Sequence, residues 1–165
     1  MGPKTDLQAS RQQVLIERVV TVPRALAFEV WTSPRHLAHW WGPRDEQGRD
    51  FSMASCEMDF RPGGSWRICI QSPGGENYWQ FGQYREITPP ERLVFTFAWD
   101  RAGKDFPHTL VEVDFLSEGP DSTRIRFRQS GLPQSERGGH ASGWAECLDR
   151  LAEHLAAVQA LEARP

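Results

Sequence analysis

With 165 residues, 25% of them charged and 39% hydrophobic, the chain suits one globular domain long enough to bury a core without disulfide or metal staples. A formal net charge of −3 excludes the electrostatic footprint of a nucleic-acid binder or of a protein held on an anionic membrane, and no apolar run is long enough to span one. Cys56, Cys69 and Cys147 are odd in number, widely spaced and without a CxxC pair, which points to reduced thiols in a cytoplasmic protein.

The opening stretch, MGPKTDLQAS, has neither the apolar segment of a signal peptide nor the pattern of a myristoylation site. Residues 1–11 are polar enough to fray, leaving 12–161 as a single domain. Val14-Leu15-Ile16 and Val19-Val20-Thr21-Val22 are β-branched and predict a first strand stopped at Pro23. Arg24 to Trp31 then carry Leu26, Ala27, Val30 and Trp31 at helical spacing. Ser33 as N-cap and Pro34 at the first position open a second short helix bearing Leu37, Trp40 and Trp41, which Gly42-Pro43 ends. Three of the seven tryptophans thus fall within Trp31–Pro43, a concentration of apolar area that pins a two-helix corner onto a core or a cavity rim.

Strand patterns follow near 51–60, 64–72, 77–87, 91–99, 108–117 and 122–130. They are separated by Arg61-Pro62-Gly63-Gly64, Pro73-Gly74-Gly75, Pro89-Pro90, the Asp100–Lys104 loop and Glu118-Gly119-Pro120-Asp121. Thr109, Val111, Val113 and Phe115 share one face; Ile125 and Phe127 oppose Arg124, Arg126 and Arg128, a row expected to pair with Glu112 and Asp114 across the sheet. In 77–87 both registers carry aromatics, so the inward face is open. The last element is a helix over roughly 137–161 with a stripe of Trp144, Leu148, Leu151, Leu155 and Val158, and with Glu146, Asp149, Arg150, Glu153 and Glu162 expected on the polar face. The order predicts an α+β fold: a curved seven-stranded antiparallel sheet wrapped around a long C-terminal helix, with two short helices after the first strand plugging one end.

Motifs for chemistry are sparse. The glycine-rich stretches read as hairpin turns rather than phosphate cradles, and Gly138-Gly139-His140-x-x-Gly143 as a flexible lead into the last helix. His36 and His39, three apart, lack partners at ligand spacing, so no metal is expected. No GxSxG elbow is present, Cys69 and Cys147 fall at core positions, and catalytic residues remain unassigned.

Four blocks carry a family resemblance. They are Phe28-x-x-Trp31-Thr32-x-Pro34-x-x-Leu37-x-x-Trp40-Trp41-Gly42-Pro43; Arg61-Pro62-Gly63-Gly64-x-Trp66; Gly82-x-Tyr84-x-Glu86-Ile87-x-Pro89-Pro90-Glu91-Arg92-Leu93-Val94-Phe95-Thr96; and His140-x-x-Gly143-Trp144-x-x-x-Leu148. Over about residues 13–158 the chain resembles the SRPBCC or START-like superfamily, in the branch similar to the C-terminal domain of the activator of the heat-shock-protein-90 ATPase. The resemblance implies a helix-grip fold with a hydrophobic cavity between sheet and helix. It implies less about activity, because the superfamily spans carriers, cyclases, oxygenase domains and co-chaperone domains.

The expected cavity lining is Trp40, Trp41, Trp66, Phe81, Phe97, Trp99, Trp144 and Leu148, with Tyr84 and His140 as polar handles. The leading expectation is a non-catalytic carrier or sensor of a small apolar or aromatic molecule, without a cofactor. The alternatives are a co-chaperone-like domain stimulating a chaperone ATPase and a cyclase- or hydrolase-like enzyme using the same cavity. A homodimer is compatible with all three.

Overall fold

The computed structural model describes residues 13–101 and 105–162, so the segment 1–11 expected to fray lies outside it. Strand β1 (Gln13–Val20) leads into α1 (Arg24–Glu29) and α2 (Pro34–Leu37). Six strands follow: β2 (Ser52–Met58), β3 (Ser65–Gln71), β4 (Asn77–Thr88), β5 (Arg92–Asp100), β6 (Thr109–Gly119) and β7 (Ser122–Ser130). Helix α3 (Gln134–Glu162) closes the chain. The strands form one antiparallel sheet in the order β1-β7-β6-β5-β4-β3-β2. Irregularities between Met53 and Ser55, Tyr84 and Glu86, and Ser117 and Gly119 break the ladders and let the long strands bend. Since β1 and β2 are the two edges, the α1–α2 corner has to carry the chain from one edge to the other, and it does so across the apolar face.

That face is built by period-two patterning. Thr109, Val111, Val113 and Phe115 of β6 and Thr123, Ile125, Phe127 and Gln129 of β7 are all buried. The corner packs edge-on into it: the Trp31 ring centroid lies 4.5 Å from Trp40 and 6.1 Å from Phe115, and Phe28 meets Phe115 at 5.3 Å. Trp40 Nε1 donates to the Val30 carbonyl at 3.0 Å, tying the second turn of the corner to the first. Ser33 holds the extended N-cap conformation before Pro34, but its hydroxyl makes no capping bond.

Three expectations are corrected. Helix α3 begins at Gln134, because the Pro133 carbonyl already accepts the Glu136 N–H; Gly138, Gly139 and Gly143 lie inside the helix rather than ahead of it. Arg150 is not on the wet face. It is 5% exposed, and its guanidinium donates to the carbonyls of Gly42 (2.8 Å) and His39 (3.3 Å). It thereby satisfies backbone acceptors that Gly42, at φ +123, turns away from the corner helix. Finally, only Arg128 of the arginine row reaches Glu112 (3.0 Å). Arg124 and Arg126 pair with Glu17 on β1, and Asp114 is taken by Arg92 at 2.8 Å.

The histidines at 36 and 39 meet a third on α3. His39 stacks on His154 with centroids 4.6 Å apart and planes 7° from parallel, and His36 Nδ1 lies 3.1 Å from His154 Nε2. Arg35 at 3.5 Å can only donate to His36 Nε2, so Nδ1 of His36 carries the proton shared with His154. Burial, with help from Arg35 and His39 and against Glu29, holds the His36 pKa below its ordinary value. Burial and the two neighbouring imidazoles push His154 down to about 4. The unfolded chain, with histidines near pKa ~6.5, therefore binds more protons than the folded one between those values. Stability is expected to be flat above about pH 7 and to fall as pH drops from about 6.5 toward 4. Denaturation midpoints across that range check this, with a shallower fall expected for His154→Gln. Among the described residues, no group of three or more His, Cys, Asp or Glu is disposed to hold a metal ion.

Candidate functional site

Helix α3 crosses the concave face of the sheet, and its N-terminal half stands off from β4 and β5. A cavity of about 210 Å³ opens there. The sheet supplies Gln80, Phe97, Trp99 and Arg101, the corner supplies Trp41, Gly42 and Pro43, and the helix supplies Glu136, Gly139, His140, Gly143, Trp144 and Cys147. Two larger hollows, of about 340 and 320 Å³, lie elsewhere on the surface among charged side chains such as Glu29 and Glu162.

The glycines explain why the space exists. Gly139 and Gly143 are four apart and so share a helix face, and a Cβ at either would meet nothing within 4 Å. Each interior glycine costs the helix about 1 kcal/mol relative to alanine. What this sequence gains in return is a gap where side chains would otherwise fill the grip.

The walls are ordered by a chain of buried hydrogen bonds in which every direction is determined. Thr109 Oγ1 donates to the Phe97 carbonyl (2.8 Å) and accepts from Gln129 Nε2 (2.9 Å). Gln129 Oε1 then faces two donors, Trp144 Nε1 at 2.8 Å and His140 Nδ1 at 2.9 Å. The other ring nitrogen, His140 Nε2, accepts from Trp99 Nε1 at 2.9 Å. An indole N–H can only donate, so the two tryptophans fix His140 as the neutral Nδ1–H tautomer. Burial, only partly opposed by Glu136, pushes its pKa down to about 4, in keeping with that assignment. Neither nitrogen is left to transfer a proton to a guest.

Of the residues expected to line the cavity, Trp41, Phe97, Trp99, His140 and Trp144 do so. The other five are placed elsewhere. Trp40, with no exposed surface, is core beneath the corner. Leu148 lies one turn too deep on α3 and is likewise fully buried. Trp66 and Tyr84 border a separate void of about 10 Å³ beside Trp31 and Phe95, and burial pushes the Tyr84 hydroxyl pKa up. Phe81 points to the outer face, against His108 at 5.4 Å.

The register of β4 follows from Gly82. A Cβ there would collide with the Thr96 carbonyl and the Trp66 indole, which lies across the strand to donate to that carbonyl at 3.1 Å. Gly82 therefore faces inward, and with it Gln80 and Tyr84. Gln80 is the polar residue that sequence reasoning missed, because only the Thr96 carbonyl and Trp66 indole of neighbouring strands fix Gly82, and with it Gln80, on the inner face. The Cys147 thiol is pushed up to about 12 by burial and is inert as a nucleophile at neutral pH. Arg101 and Glu136 face each other at the mouth, 3.4 Å apart.

Residues 21–156 match the model of the family described as activator of Hsp90 ATPase homolog 1-like protein. Solved structures agree on the fold. The AHSA1 protein of Silicibacter pomeroyi superposes with a TM-score of 0.77 at 23% identity, covering 88% of this chain and 98% of that one. A protein of Nitrosomonas europaea gives 0.75 at 23%, covering 92% and 98%. CalU16 of Micromonospora echinospora gives 0.65 at 20%, covering 87% and 75%. None of the curated proteins compared matches the chain.

Proposed function

This chain belongs to the family of activator of Hsp90 ATPase homolog 1-like proteins, and from that fold and its cavity we propose that it binds a small apolar or aromatic molecule as a non-catalytic carrier or sensor. The observation that carries the reading is the gap over Gly139 and Gly143, walled by Trp41, Phe97, Trp99 and Trp144. Its volume exceeds the ~150 Å³ that admits benzene into an engineered apolar cavity. Aromatic walls supply area, and few polar groups orient the guest.

An enzyme reading is less well supported. His140 is locked neutral, the Cys147 thiol is suppressed, and Glu136 is engaged with Arg101, so the lining presents no poised acid–base pair. A co-chaperone role draws on the family's description alone. The free thiols of Cys56, Cys69 and Cys147 suit the cytoplasmic setting proposed with this function.

The test is native mass spectrometry of the protein purified from its own cells, beside Gly143→Leu. The leucine side chain projects into the gap and replaces a helix-weakening residue, so the variant is expected to fold at least as well as the parent. A mass surplus on the parent that is absent from the variant supports the reading. A bare parent, or a surplus unchanged by Gly143→Leu, overturns it.

A further inference from the structure

We propose that the cavity selects a neutral, planar, bicyclic aromatic bearing a carbonyl oxygen, and that Gln80 is the residue that reads that oxygen. The inference rests on the binding reading above and adds the chemistry of the guest.

Gln80 is 5% exposed and lines the cavity wall. Its amide orientation is not free. Trp41 Nε1, which can only donate, lies 2.8 Å from Gln80 Oε1, so the carbonyl end of the amide is spent on the corner. The Nε2 amino group is left without a protein partner. The other polar side chains described on the inner wall are committed: the indoles of Trp99 and Trp144 and both nitrogens of His140 belong to the chain that ends on Thr109. Among the described side chains of the inner cavity wall, the open hydrogen-bonding position is therefore a donor.

Once a guest displaces water from the cavity, a donor left unmatched is costly, and an acceptor on the guest removes that cost. A hydrocarbon leaves the donor unmet, and a guest N–H would oppose it. A carboxylate would place a full charge against a single neutral donor among four aromatic rings, which the low-dielectric wall disfavours. The mouth does not reverse this, because Arg101 and Glu136 neutralise one another. A ketone or lactone carbonyl on a flat ring system meets all of these conditions. The volume of about 210 Å³ sets the size near two fused rings.

The experiment uses calorimetric titration of the protein with three bicyclic probes of similar shape: indane, 1-indanone and indole. They present no polar group, an acceptor and a donor, respectively. The wild type is expected to bind 1-indanone about fivefold to tenfold more tightly than indane, the net worth of one hydrogen bond. Gln80→Glu keeps an acceptor for Trp41 and replaces the amino group by oxygen, so the order reverses in favour of indole. Gln80→Met keeps the volume and removes both polar atoms; it erases the preference for 1-indanone and secures the test if the buried glutamate does not fold. Equal binding of indane and 1-indanone by the wild type, within about twofold, overturns the role of Gln80 while leaving cavity binding in place. So does an order unchanged in the variants. Failure of all three probes to bind overturns the cavity reading as well.

Discussion

Replacing Gln129 with leucine is expected to destabilise the protein by about 3–5 kcal/mol, although Gln129 touches neither solvent nor the cavity opening. The side chain holds the cavity wall together. Its Oε1 satisfies Trp144 Nε1 and His140 Nδ1, and its Nε2 satisfies Thr109. Leucine has nearly the same volume, so the loss is not one of packing. It leaves two N–H groups and a hydroxyl acceptor buried without partners, each costing about 1–3 kcal/mol. Urea denaturation measures the effect. Gln129→Glu provides a sharper reading, because a carboxylate beside His140 favours the charged imidazole, and the His140 titration followed by NMR is expected to move upward from about 4.

Truncating Trp41 to alanine is expected to cost about 3–5 kcal/mol and to enlarge the cavity rather than merely open its rim. From sequence, Trp41 divides a structural from a functional reading of the tryptophan corner. In the folded protein it serves both. One edge of the indole faces Trp31, Trp40, Trp66 and Phe95 in the core, with centroids between 5.6 and 6.5 Å away. The other meets Trp144 at 5.2 Å on the cavity side. Trp41 is also the partition between the cavity and the small void beside Tyr84, so removing it joins the two. Trp41→Phe keeps a ring in the partition and is expected to lose less stability, while freeing Gln80 Oε1. The pair of variants, compared by denaturation, separates the packing contribution from the hydrogen bond.

The fold was largely legible in the chain because its signals are local. Turn residues punctuate every strand, and the alternation in 109–115 and 123–129 names the buried face without ambiguity. The run Gly138–Gly143 reads as a flexible lead because glycine is a poor helix former; in the structure it lies within α3, which opens after Pro133, three residues before the expected start. From sequence Arg150 belongs on the wet face, as a charged residue in a polar-looking stretch usually does; its partners, the carbonyls of His39 and Gly42, lie more than one hundred residues away. The site was legible by half for the same reason. Aromatic residues announce buried area, but whether each fills core, as Trp40 and Leu148 do, or borders space, as Trp99 and Trp144 do, depends on where the helix stands off the sheet. In β4 the register waited on Gly82, whose necessity arises from the Trp66 indole and the Thr96 carbonyl on neighbouring strands.

The seven indole N–H signals of an NMR spectrum test the central claim, that this cavity is where a guest is held. They divide by place in the fold: Trp41, Trp99 and Trp144 line the cavity, Trp31 and Trp40 belong to the core, Trp66 borders the small void, and Trp79 lies on the outer face against Arg67. Titration with 1-indanone is expected to shift the signals of Trp41, Trp99 and Trp144 together, along one saturable curve, and to leave Trp79 in place. Shifts centred on Trp79, or no saturable shift at the three cavity indoles, would contradict the account.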